Sequence, residues 1–154
     1  MSRFALFALQ TAGVLLLLFC FAVSFVPAYN MNRFLASTST YTASLLLPFV
    51  PIVWFATLSL LVAGAKWAII GTYKPAKIPV PSIAFVRWWF VDRLVHLWEI
   101  WVGSLAKGTP IIWLFYKCLG AKIHPSARIN AFVREFDLVD IGAYSSLSAD
   151  ITCR

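Results

Sequence analysis

The sequence predicts a membrane α-helical hairpin with interfacial helices behind it, followed by the start of a left-handed parallel β-helix of hexapeptide repeats. Three observations predict it. Of 154 residues, 61% are hydrophobic and only 12% are charged, with a mean hydropathy of +0.82, far from the composition of a soluble globular domain. Two long uncharged apolar runs occupy the first half, and from Ile123 onward aliphatic residues recur every six positions. The aromatic share of 16% excludes a disordered chain, because disordered chains are poor in aromatic residues.

The first run, residues 4–26, carries no charge. At about 1.5 Å per residue it covers the roughly 30 Å hydrocarbon core of a bilayer. A cleaved signal peptide is the competing reading, but an h-region is normally only about 7–15 residues long and here a second span follows. Residues 27–44 contain PAYNMN and ASTSTYTAS with Arg33 as their only charge, which predicts a short exposed loop. Residues 45–65 form the second run, closed by Lys66; Pro48 and Pro51 lie in its first two turns and are expected to kink or shorten its start.

Residues 1–70 thus read as a two-helix transmembrane hairpin in the cytoplasmic membrane. Arg33 is the sole basic residue between the spans, whereas Lys66, Lys74, Lys77 and Arg87 follow the second and Arg3 precedes the first. The positive-inside rule then places both ends on the cytoplasmic side. The net charge of +7 is scattered rather than clustered, so it points to the lipid bilayer as partner and not to nucleic acid.

Residues 71–84, GTYKPAKIPVPSIA, hold three prolines and predict an extended proline-rich connector. Residues 85–120 read as amphipathic, interfacial helices. On a helical wheel Asp92, His96 and Glu99 share one face with Arg93 at its edge, while Val91, Leu94, Trp98, Trp101 and Leu105 gather opposite. Such a helix suits the interface, and a third span with its polar face turned to other helices is the other reading. The polar face is either solvated or a grouping that raises the His96 pKa. IIWLFYKCLG then makes a short apolar helix with Gly120 placed to end it.

In residues 121–154 the positions Ile123, Ile129, Glu135, Ile141, Leu147 and Cys153 are spaced by six, with Glu135 breaking the apolar pattern. Units such as IHPSAR, INAFVR, IGAYSS and LSADIT fit a parallel β-helix, in which each short strand sends one aliphatic side chain inward before a corner. This stretch supplies fewer than two triangular coils. A solenoid needs about three repeats to bury its own faces, so the β-helix is expected to be incomplete and the chain a fragment without activity on its own. Cys20, Cys118 and Cys153 have no metal-ligand spacing, so neither a metal site nor a disulfide framework is expected.

The helix pair, the Trp-rich segment ending in KGTP, then WLFYKCLGAKIHPSARI, EFDLVDIG and LSAD together resemble the membrane-embedded C-terminal region of the nonribosomal-peptide-synthetase-like family typified by ε-poly-lysine synthetase. The resemblance is loose over the whole chain and closer over residues 103–152. It implies a hexapeptide-repeat, acyltransferase-like domain that forms an amide bond from a carrier-bound aminoacyl thioester. It also implies as partners a carrier domain bearing a phosphopantetheine-linked acyl group, or the rest of a larger synthetase, and a possible homo-oligomer; no cofactor is expected in this chain. Family members usually carry a His shortly after the LSAD-like unit, and this sequence has none there. The alternative function is a non-catalytic membrane anchor or assembly subunit with a docking β-helix.

Acyl transfer needs a base for the attacking amine and donors for the oxyanion. Asp137 in EFDLV and Asp150 in LSAD match acidic positions of the family motif and are candidate catalytic residues, lining a site for the amine. Their ordinary alternative is to satisfy backbone donors at corners of the solenoid. His124 in IHPSAR is the third candidate, at a position where a solvent-facing turn residue is common. The sequence contains no phosphate-binding glycine loop, nucleophile motif or dinucleotide fingerprint.

Overall fold

The structure is a computed structural model that describes residues 3–74, 79–80, 82–148 and the backbone of 152–153. It is mostly helical. Helix α1 (Arg3–Ser24) runs almost without interruption into α2 (Val26–Ala36). The break at Phe25 follows from Pro27, which has no N–H to offer the preceding turn and sits at the start of α2, where none is needed. The stretch Arg3–Ala36 and helix α4 (Phe49–Ile69) are each long and apolar enough to cross a membrane. Pro48 caps the start of α4, so the prolines shorten this helix as the sequence predicts.

The loop expected at residues 27–44 is instead largely helical, comprising α2 and α3 (Thr40–Leu46). Its hydroxyls suggested turns, yet they fold back onto the helices themselves. Ser37 Oγ donates to the Phe34 carbonyl at 2.7 Å and Ser44 Oγ to that of Thr40 at 2.8 Å. Only residues 37–39 interrupt the helical path.

Helix α5 (Ile83–Trp98) is capped by Ser82, whose hydroxyl accepts from the Phe85 N–H. It continues through a π-helical turn, Glu99–Gly103, into the short α6 (Ser104–Ala106). It packs on both α1 and α4. Gly13 of α1 allows the approach, because a Cβ there would lie 2.9 Å from the Trp89 ring. Trp98 is fully buried, donates its indole N–H to Ser59 Oγ of α4 at 2.7 Å, and stacks on Phe115 of α7 (Pro110–Cys118). Gly120, at φ +106°, ends α7 in a conformation that only glycine adopts readily.

Beyond Gly120 the chain forms short parallel strands. β1 (Lys122–Ile123) pairs with β4 (Asp140–Ile141), β2 (Arg128–Ile129) with β5 (Ser146–Leu147), and β3 (Phe132–Val133) with β6 (Thr152–Cys153). Lys122 faces Asp140 and Arg128 faces Ser146, so two of the three pairs return after eighteen residues. Ile123, Ile129 and Ile141 are buried, in keeping with the six-residue spacing.

The third pair departs from that spacing. Phe132 faces Thr152, so β3 comes two residues early, and Val133 takes the inward place that the period assigned to Glu135. A carboxylate cannot enter an apolar interior without a partner. Glu135 instead adopts a left-handed φ of 52° and leads into a 3-10 turn, Phe136–Leu138, which buries Phe136 and restores the register before β4. Residues Val91, Leu94, Trp98, Tyr116, Ile129 and Val133 belong to the core that joins α5, α7 and the strands.

Candidate functional site

The polar face of α5 is not solvated at its two carboxylates. Asp92 and Glu99, two helical turns apart, are 6% and 1% exposed. Arg134, placed directly after β3, reaches between them: its Nη2 donates to Glu99 Oε2 at 2.6 Å, and its Nε lies 3.5 Å from Asp92 Oδ1. Arg93 closes the outer side by donating to Asp92 Oδ2 from Nη2 at 2.6 Å. His96 Nδ1 stands 3.5 Å from Glu99 Oε2 with its ring half-exposed.

The π-helical turn supports this arrangement. Both the N–H and the hydroxyl of Ser104 donate to the Glu99 carbonyl, which secures the wider turn. Gly103 lies against Trp98 and Phe132, where a Cβ would be 3.0 Å from the indole. Tyr116 lies beneath, its hydroxyl accepting the Val133 N–H at 3.3 Å.

Burial pushes the Glu99 carboxyl up to about 7, against the lowering effect of Arg134 and with a further push from Asp92. Burial and the Glu99 charge likewise raise the Tyr116 phenol. Of the two readings of this face, the one that raises the His96 pKa does not hold: its pKa is lowered, first by burial and then by Arg134 and Arg93, which outweigh Asp92. Glu99 Oε1 makes no hydrogen bond among the described residues. The grouping therefore combines a carboxyl whose pKa burial raises with a half-exposed imidazole 3.5 Å away.

A raised carboxyl pKa contributes stability below the ordinary carboxyl range, and that contribution is lost as pH rises through about 7. Glu99→Gln is expected to remove a decline on the order of 3 kcal/mol between pH 4.5 and 8. His96 acts oppositely, its contribution being lost in acid, and its exposure keeps that effect small. Thermal unfolding in mild detergent across this pH range checks it; parallel profiles for the variant and the parent would place the titrating group elsewhere.

Of the three candidate residues from the sequence, neither Asp137 nor His124 joins this cluster. Asp137 is held in a second buried ion pair: Lys66 Nζ of α4 donates to its Oδ2 at 2.9 Å, and the Tyr73 N–H donates to the same oxygen at 2.8 Å. The Lys66 ammonium also lies over the Trp67 ring, 3.7 Å from its centroid. His124 is exposed on a turn, where its Nδ1 accepts the Ser126 N–H at 3.2 Å and lies 2.7 Å from Ser126 Oγ. Asp150 lies outside the described residues. The sequence reading missed Arg134 and Lys66, the cations that the paired carboxylates of α5 and the carboxylate of Asp137 require.

No family model matches the chain, and no solved structure matches it. Delta-poly-L-ornithine synthetase of Acinetobacter baumannii (strain AB307-0294) is 33% identical over 88 residues, covering 54% of this chain. The match spans only 6% of that protein's length. The likeness gives loose support to a peptide-synthetase-like kinship for this chain.

Proposed function

We propose that this chain is a membrane-embedded, acyltransferase-like part of a peptide-synthetase-type enzyme that forms amide bonds from a carrier-bound aminoacyl thioester. The observation that carries the reading is the 33% identity to a poly-ornithine synthetase. Two others support it. The eighteen-residue return of parallel strands suits the opening coil of a left-handed β-helix made of hexapeptides. The two apolar helices suit a hairpin anchored in the cytoplasmic membrane, with both ends on the cytoplasmic side as the basic residues suggest.

In the reaction an amine nitrogen attacks the thioester carbonyl, the C–S bond breaks, and the phosphopantetheine thiol leaves. The proton lost by the amine passes through a base to the departing sulfur. Asp150 and His124 are proposed to line the amine site, on the motif resemblance. Asp137 is proposed to position the neighbouring turn, because both its described hydrogen-bond donors, Lys66 and the Tyr73 N–H, meet at one oxygen. That same structural engagement favours the second reading, a non-catalytic anchor or assembly subunit that docks a carrier domain, the rest of a synthetase or another copy.

Aminoacyl transfer from a carrier thioester, measured with the protein in its native membrane assembly, separates the two readings. Asp150→Asn is expected to lower the rate at least about tenfold, equivalent to about 1.4 kcal/mol of transition-state stabilisation, with unchanged thermal stability. Full activity in both Asp150→Asn and His124→Asn would remove these residues from the site, and absence of transfer in the parent assembly would favour the anchor.

A further inference from the structure

Two cavities outside the carboxylate cluster have Arg87 in common. The first is a hollow of about 180 Å³ where the chain leaves α4, with Ile70, Ala84, Tyr73 and Trp88 supplying apolar surface and Lys74 and Arg87 its charges. It presents two cations, and no carboxylate lines it. Lys74 and Arg87 are exposed and form no ion pair among the described residues. Every described carboxylate that pairs with a cation does so elsewhere, in the Asp92–Glu99–Arg134 cluster or with Lys66.

The second is an apolar groove of about 410 Å³ between α1, the end of α4 and α5. Leu9, Leu16, Ile69 and Phe90 line it together with the small side chain of Ala12. Arg87 lines this groove as well as the cationic hollow, so the two have a side chain in common. Its volume lies within the roughly 300–1,000 Å³ of small-molecule sites. An unpaired pair of cations beside an open apolar trough has the polarity of a phospholipid, with a phosphate at one end and an acyl chain at the other.

We infer that this composite site binds one anionic phospholipid of the surrounding bilayer, its phosphate between Lys74 and Arg87 and one acyl chain along the groove between α1 and α5. The inference rests on the membrane-embedded part of the reading above. Trp88 lines the cationic hollow, and an indole is favoured beside lipid headgroups. The lipid fills the space between α1 and α5, two helices that meet closely at Gly13 and Trp89.

The test is titration of the whole chain, purified in mild detergent, with phosphatidylglycerol, phosphatidylcholine and inorganic phosphate, reading bound lipid by native mass spectrometry. Phosphatidylglycerol is expected to bind about 30-fold more tightly than phosphatidylcholine, from about fivefold for each cation. Lys74→Gln/Arg87→Gln should remove that preference, Ala12→Trp should weaken both lipids by filling the groove, and Arg33→Gln should change neither. Equal affinity for the two lipids, an unaltered preference in the double variant, or competition by inorganic phosphate without any effect of Ala12→Trp would overturn the lipid site. Release of the chain from membranes by alkaline carbonate would instead overturn the embedded reading itself.

Discussion

Replacing Arg134 by Met is expected to lower stability by about 3–5 kcal/mol, the usual loss when one partner of a buried ion pair is removed. Arg134 is the less exposed cation of its cluster, with a side chain 11% exposed against 43% for Arg93, and its guanidinium serves Asp92 and Glu99 together. Without it Glu99 loses its charged hydrogen bond, and Asp92 keeps only the half-exposed Arg93. The loss corresponds to roughly 10 °C or more in melting temperature for a chain of this size. It also has a pH signature. As pH falls below about 7 Glu99 takes up a proton, one buried charge disappears, and the variant should approach the parent more closely than at pH 8. Adding Glu99→Gln to Arg134→Met should recover part of the loss at pH 8, whereas Arg134→Lys should not, because an ammonium cannot offer the two-sided fork. Trp fluorescence during thermal unfolding in detergent measures the three variants and the parent. Equal melting temperatures for Arg134→Met and the parent at pH 8 would show that the carboxylates are not desolvated.

How much of this was legible in the sequence depends on the range of the interaction concerned. The two apolar helices follow from runs of uncharged residues, which bilayer thickness converts directly into a length. Gly120 was legible because helix termination is local, and so was the burial of Ile123, Ile129 and Ile141. The helical state of residues 27–44 was not, because Ser and Thr favour turns only when their hydroxyls have no helical carbonyl to reach, and here Phe34 and Thr40 supply one. The wheel placed Asp92, His96 and Glu99 on one face correctly. It gave no means of choosing between solvation and burial, since the choice is made by Arg134, thirty-five residues beyond Glu99. The wheel likewise left the direction of the His96 shift open, because that direction is set first by burial and then by Arg134, neither of which a single helix displays.

Gly120→Ala is expected to cost about 3–5 kcal/mol, as much as breaking an ion pair, because it strikes the link between α4 and the strand region. A Cβ at position 120 would fall on Asp137 Oδ1 and within 3.4 Å of Lys66 Nζ, while the backbone there, at φ +106°, already excludes other residues. The substitution therefore combines backbone strain with displacement of Asp137 from an ammonium that is fully buried. The separate contributions can be measured. Lys66→Met leaves Asp137 with the Tyr73 N–H as its described donor, and Asp137→Asn leaves Lys66 charged over the Trp67 ring, so each single change should destabilise the fold by a few kcal/mol. Combined as Lys66→Met/Asp137→Asn they should cost clearly less than the sum, since the second change removes the charge that the first stranded. Strict additivity would mean that Lys66 and Asp137 are not coupled, and that Gly120 is required for its backbone conformation alone. Coupling would make this pair the tie between the end of the second apolar helix and the turn that carries the EFDLV segment.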